Sequence, residues 1–127
     1  MVLGADTTVV VDGAILGKPD DKADALRMLS TIQGRTHLVW GGYALTGHGI
    51  NSPIIESHCT EVFMIQLTPK MIEEYIATGE PLDKAGAYAI QGVGASLIEW
   101  VRGSYTNVVG LNIPAVISSL RRVGVIG

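Results

Sequence analysis

The stretch that most limits what this chain can become runs from Asp83 to Gly94: Asp-Lys-Ala-Gly-Ala-Tyr-Ala-Ile-Gln-Gly-Val-Gly. It holds three glycines among alanine spacers and carries no apolar repeat of the kind that marks a helix or a strand. Glycine costs a regular element roughly 0.5–1 kcal/mol, while it permits positive φ and close backbone approach. The segment therefore interrupts helix and strand alike, and regular elements must flank it. In an otherwise apolar chain it reads as a shaped surface, with Asp83, Lys84, Tyr88 and Gln91 as candidates to face a ligand. The alternative is a tight loop selected only for packing.

Residues 2–11 read as a strand, β-branched and mostly apolar, but interrupted by Asp6-Thr7-Thr8. An aspartate there is costly if buried, so a strand end or a bulge is the bland explanation. Asp12-Gly13 is a turn signal. After Gly17-Lys18-Pro19 a helix is expected, capped by Asp20 or Asp21, with Ala25, Leu26, Met28, Leu29 and Ile32 as its apolar stripe and Gly34 past its end. Thr36–Leu45 and Ile54–Leu67 read as two strands of a hairpin around a loop at 47–53. Thr68-Pro69 opens a second helix, lined by Ile72, Tyr75 and Ile76 and closed by Gly79. Beyond the glycine stretch, Ala95–Val101 reads as a strand and Arg102-Gly103-Ser104 as a turn. Asn112 caps a last helix with Ile113, Val116, Ile117, Leu120 and Val123 in register. This order predicts an α/β fold with a mixed β-sheet and flanking helices, in a single domain over residues 1–127.

At 127 residues the chain can bury a core without staples. It is 47% hydrophobic and only 17% charged, yet no apolar run approaches the ~20 residues that cross a bilayer, so no membrane partner is expected. No signal peptide is visible at Met1–Asp6, and Cys59 is alone, which fits a reducing cytoplasm. A net charge of −3 gives no electrostatic reason to expect nucleic acid. A phosphate-binding Gly-Lys-Ser/Thr loop is absent, and Gly92-Val93-Gly94 lacks the third glycine of a dinucleotide fingerprint. His37, His48 and His58 share no ligand spacing, and no serine has a neighbouring His–acid arrangement. What remains is small-molecule chemistry on Asp6, Lys18, Asp83, Lys84 and Gln91.

Six blocks then carry a resemblance: Gly4-Ala5-Asp6-Thr7, Gly17-Lys18-Pro19, Gly34-Arg35-Thr36-His37, Thr78-Gly79-Glu80-Pro81, Asp83–Gly92 and Asn107-Val108-Val109-Gly110-Leu111. In order and spacing they resemble the Maf family of nucleoside triphosphate pyrophosphatases, over essentially the full chain. The resemblance implies a Maf/ITPase-like α/β fold with a cleft between two lobes. It also implies a metal-dependent hydrolase, using Mg2+ or Mn2+, that splits a nucleoside triphosphate between its α and β phosphates. Asp6 matches the proposed proton acceptor, and oxygen ligation could also give it a share of the metal. Thr7 and Gln91 match positions associated with base preference, Lys18 a lysine near the phosphates, and Lys84 a substrate-binding position. The form of the glycine block resembles the branch acting on dTTP and UTP. In a regular strand Asp6 and Thr7 point to opposite faces, so a shared site demands a strand end or a bulge.

Family members begin with a Ser-x-Ser-Pro-Arg-Arg segment that does not precede Asp6 here, so the chain is expected to be an N-terminally truncated, C-terminal portion of the family fold. The segment would add a central strand and arginines for the triphosphate, contacts worth ~1.5–3 kcal/mol each. Three readings follow: a weak or inactive enzyme, an enzyme completed across a homodimer, or a non-catalytic nucleotide-binding or interaction module on the Maf scaffold. An uncovered edge and core face would favour a homodimer. Gly41 also stands where the family usually has threonine.

Overall fold

The computed structural model describes residues 1–47 and 49–126. Strand β1 (Val2–Val11) turns back into the short β2 (Ala14–Leu16). The turn residues Asp12 and Gly13 both take positive φ (49° and 76°), the geometry a two-residue hairpin needs and one that Asp-Gly tolerates. Asp21 caps helix α1 (Lys22–Ile32), its carboxylate accepting the Asp24 N–H at 2.8 Å. Strands β3 (Thr36–Thr46) and β4 (Ile54–Met64) form the long hairpin. Helix α2 (Pro69–Ala77) starts at Thr68, as its Thr-Pro pair dictates. Three short 3-10 turns, Glu80–Asp83, Ala85–Ala87 and Gly92–Leu97, lead into β5 (Ile98–Arg102). Helices α3 (Tyr105–Val109) and α4 (Ile113–Arg122) complete the described chain.

The five strands lie in the order β2-β1-β3-β4-β5. The α/β class with flanking helices stands; within it, every described pairing is antiparallel where the sequence predicts a mixed sheet. The reason is β2. It reverses the chain before α1, so that β3 arrives antiparallel to β1 instead of completing a parallel crossover.

Alternation decides the faces. His37, Val39, Tyr43 and Leu45 of β3 and Thr60, Val62 and Met64 of β4 are buried on one side. Against Val39, Val62 and Met64 pack Ala25, Met28, Leu29 and Ile32 of α1 and Ile72, Tyr75 and Ile76 of α2. Each large aliphatic side chain among them contributes roughly 1.5–3 kcal/mol by burial. A smaller cluster of Tyr43, Leu45 and Val116 seats α4. The opposite face carries Trp40 and Ile55 in the open, with Trp100 stacked on Phe63 at 5.6 Å.

Some expectations are corrected. Leu26 lies in the predicted stripe of α1 but is 47% exposed, on the rim of a groove between α1 and α2. Ile113 of α4 is likewise exposed. Residues 95–97 belong to a 3-10 turn, and the strand starts only at Ile98. Gly34 has positive φ (67°) past α1, yet its N–H donates to Ile65 O at 3.0 Å and so ties the helix end to the sheet.

Candidate functional site

β2 pairs only with Val9–Val11, so from Val2 to Thr8 strand β1 has β3 on one side and an open edge on the other among the described residues. The register against β3 runs unbroken, with Asp6 opposite Gly42 and Thr7 opposite Gly41. Neither a strand end nor a bulge lets Asp6 and Thr7 share a site; that expectation is corrected. The open edge does it instead. The Asp6 carboxylate accepts the backbone N–H of Thr7 at 2.9 Å, and Thr7 Oγ1 donates to the Gly110 carbonyl at 3.4 Å. Asp6 is exposed, so the burial cost feared for an aspartate in this strand does not arise.

The glycine stretch is pressed onto this strand. The Gly86 N–H donates to Gly17 O at 3.1 Å, bringing the loop beside the Gly17-Lys18-Pro19 segment. A Cβ on Gly86 would sit 3.0 Å from Val9 Cγ1, and φ there is 73°. Only glycine meets both demands. Ala87, completely buried, is also held at positive φ (65°), a conformation that costs an L-residue about 1–2 kcal/mol and persists because its neighbours impose it. Tyr88 Oη lies 2.5 Å from His37 Nε2, with the rings edge to face at 5.2 Å. Burial pushes the His37 imidazole down to about 4, so it is neutral at pH 7. Burial raises the Tyr88 phenol above its ordinary value as well.

Between the β1 edge, the glycine loop and the end of α3 lies a cleft of about 290 Å³. Asp6, Thr7, Lys18, Lys84 and Gln91 all line it, drawn from three distant parts of the chain. Tyr88 lines it too, but is itself 5% exposed and tied to His37. Asp83, a candidate from sequence, stands outside the lining and faces Lys84 Nζ at 3.8 Å; both side chains are exposed, so the pair contributes little.

The far wall, Val108 to Gly110, carries no sign of a binding surface in the sequence beyond the Asn107–Leu111 block. Asn107 positions that wall. It is 1% exposed, and its Nδ2 lies 3.1 Å from His58 O and 3.0 Å from Thr60 Oγ1. A Cβ at Gly41 would meet Asn107 Oδ1 at 2.0 Å. Gly41 is thus the space into which α3 docks.

Among the described residues no three His, Cys, Asp or Glu side chains converge as a metal cage. His37 is in the core and His58 stacks on Tyr43 at 6.2 Å, while His48 lies outside the described residues. Asp6 is the one carboxylate lining the cleft among the described residues. A single carboxylate joined by substrate phosphate oxygens is a usual setting for Mg2+, so the donor set fits a cation held jointly with a polyphosphate and not a protein-only cage. No described helix is long and apolar enough to cross a membrane.

A family model described as "Maf-like protein" matches residues 1–123. A dTTP/UTP pyrophosphatase from Citrifermentans bemidjiense is 49% identical over 125 residues, covering 98% of this chain and 65% of the relative. Another from Syntrophotalea carbinolica is 48% identical over 124 residues, 98% of this chain and 56% of the relative. One from Thermococcus kodakarensis is 49% identical over 127 residues, 97% of this chain and 64% of the relative. The chain therefore spans 56–65% of the length of these three curated relatives. With the match running from the exposed edge of β1 through the glycine loop to the last helix, the chain belongs to the Maf family.

Proposed function

We propose that this chain takes a nucleoside triphosphate, dTTP or UTP, into the cleft and hydrolyses it to the monophosphate and pyrophosphate. The observation that carries the reading is the convergence of one carboxylate (Asp6), two lysines (Lys18, Lys84) and one carboxamide (Gln91) on a single cleft. Asp6 takes the proton of the attacking water as its oxygen bonds to phosphorus, and the bridging oxygen leaves with pyrophosphate. Lys18 and Lys84 offset the charge that builds on the phosphoryl oxygens. A Mg2+ or Mn2+ held between Asp6 and the phosphates would supply further charge stabilisation when bound. Gln91, with both a donor and an acceptor, suits a pyrimidine edge, and Thr7 lies on the facing wall.

The test is pyrophosphate release from dTTP and UTP with magnesium or manganese. Asp6→Asn is expected to lower turnover at least a hundredfold with the circular dichroism spectrum unchanged. Turnover surviving in that variant removes Asp6 as the base. The second reading is a nucleotide-binding module, favoured by the single carboxylate in the cleft. It predicts a melting temperature raised by nucleotide with no product formed.

The same reading puts the protein in the cytoplasm, consistent with a free, exposed Cys59. It makes the protein a homodimer, on the strength of the open apolar sheet face, with neither nucleic acid nor membrane as partner.

A further inference from the structure

The arc from Ala89 to Gly94 carries Gln91 along one side of the cleft. It is fastened at both ends by side chains from α2 and the turn after it. The buried Tyr75 hydroxyl accepts the Ala89 N–H at 3.1 Å. Glu80 Oε2 accepts the Gly94 N–H at 3.1 Å. A Cβ on Gly94 would lie 1.9 Å from Ala89 O and 2.7 Å from Tyr75 Oη; one on Gly92 would lie 2.3 Å from Glu80 Oε1. The arc closes around these two acceptors: a side chain at 92 would run into the Glu80 carboxylate, and one at 94 into the Ala89 carbonyl and then the Tyr75 hydroxyl.

Resting on the reading that the cleft takes a pyrimidine nucleotide, we infer that Glu80 and Tyr75 are positioning residues that set base-size discrimination by fixing the arc that carries Gln91. The cleft is bounded by this arc on one side and by Thr7 and Val109–Gly110 on the other. Neither of those opposing pieces can yield easily: Thr7 is in the sheet, and Asn107 ties α3 to it. Cleft width therefore depends on how firmly the arc is held. A purine carries a second fused ring and must push the arc outward, against both hydrogen bonds. A pyrimidine leaves them intact. A hydrogen bond to a carboxylate is among the stronger ones, so Glu80 bears most of the load.

The experiment compares wild type, Glu80→Ala, Glu80→Gln and Tyr75→Phe on UTP and GTP, with amide exchange of the nucleotide-free protein measured alongside. Glu80→Ala is expected to reduce the UTP:GTP ratio of kcat/KM about tenfold, through KM, and to speed exchange at Gly94 at least about tenfold. Glu80→Gln, whose carboxamide oxygen still accepts but carries no charge, should fall between wild type and Glu80→Ala on both measures. Should Glu80→Ala fail to fold, Tyr75→Phe makes the same comparison at Ala89. A ratio unchanged despite faster exchange, or equal losses with both nucleotides, overturns the inference. If wild type releases no pyrophosphate, the hydrolase reading fails, and the ratio is taken from dissociation constants. A wild type that binds neither nucleotide, or both equally, overturns the inference as well.

Discussion

His37 shows how one buried side chain couples the core to the cleft. Its imidazole is 1% exposed, touches Tyr88 through Nε2, and leaves Nδ1 buried with no partner. If Nε2 carries the proton, the orphan at Nδ1 is a lone pair. The other tautomer would bury an unpaired N–H, which folded proteins rarely tolerate. A second proton would need a donor site that the core does not solvate, hence the fall from 6.5 to about 4. Because the folded value lies below the unfolded one, the unfolded chain takes up the proton first as pH drops. The stabilisation is complete above about 6.5 and is lost as pH falls towards 4, an effect of about 3 kcal/mol. Urea unfolding of wild type and His37→Gln at pH 7 and pH 4.5 checks this. Wild type should lose more stability than the variant over that interval, and parallel losses would dismiss the histidine as the cause.

At the level of elements, α4 depends on one polar clamp. Tyr43 Oη and Ser119 Oγ both donate to Glu56 Oε2, the second at 3.0 Å, and Arg122 reaches Ser119 Oγ at 3.4 Å. The hydrogen bonds from Tyr43 and Ser119 hold the Glu56 carboxyl below its ordinary 4.5. The clamp therefore stabilises above that value and weakens as pH falls below it. Beside it the helix has one fully buried apolar residue, Val116, with Ala115 and Leu120 partly buried against the same cluster and Ile113 exposed. Glu56→Gln should cost about 1 kcal/mol and quicken tryptic cleavage at Arg121 or Arg122. Cleavage at the wild-type rate would show that apolar contacts alone hold α4. Elements of this length were legible from their periodicity: β1, β3, β4, α1, α2 and α4 all fall where the sequence puts them. The three-residue β2 and five-residue α3 are too short to display a period. Missing β2 had a consequence, since β1-α1-β3 without it reads as a parallel crossover. The five cleft residues were legible from their blocks, but Tyr75 was visible only as part of an apolar stripe. Its hydroxyl, Glu80 and the wall at Val109–Gly110 act through contacts that sequence spacing does not encode.

On the scale of the whole molecule, two surfaces could carry the proposed homodimer. One is the edge of β1 from Val2 to Thr8, which has no strand beside it among the described residues and could pair with another strand. The other is the outer sheet face, where Trp40 is 43% and Ile55 76% exposed. A strand added along the edge would lie over Asp6 and Thr7 and compete for the cleft. The face lies on the side of the sheet away from the helices, and the unbroken register puts Asp6 on it, two residues from Thr8, which pairs with Trp40, so a dimer formed there borders the Asp6 side of the cleft. Apolar burial favours the face, at ~25 cal/mol per Å² covered. The expected result is concentration-dependent dimerisation by light scattering, weakened at least about tenfold by Trp40→Lys with Ile55→Lys. UTP should weaken dimerisation at either surface, because Asp6 shares the outer face with Trp40 as well as bordering the β1 edge, so the two lysines separate the interfaces. A constant shifted by UTP but untouched by the two lysines would transfer the interface to the β1 edge, and a monomer at every concentration would remove both.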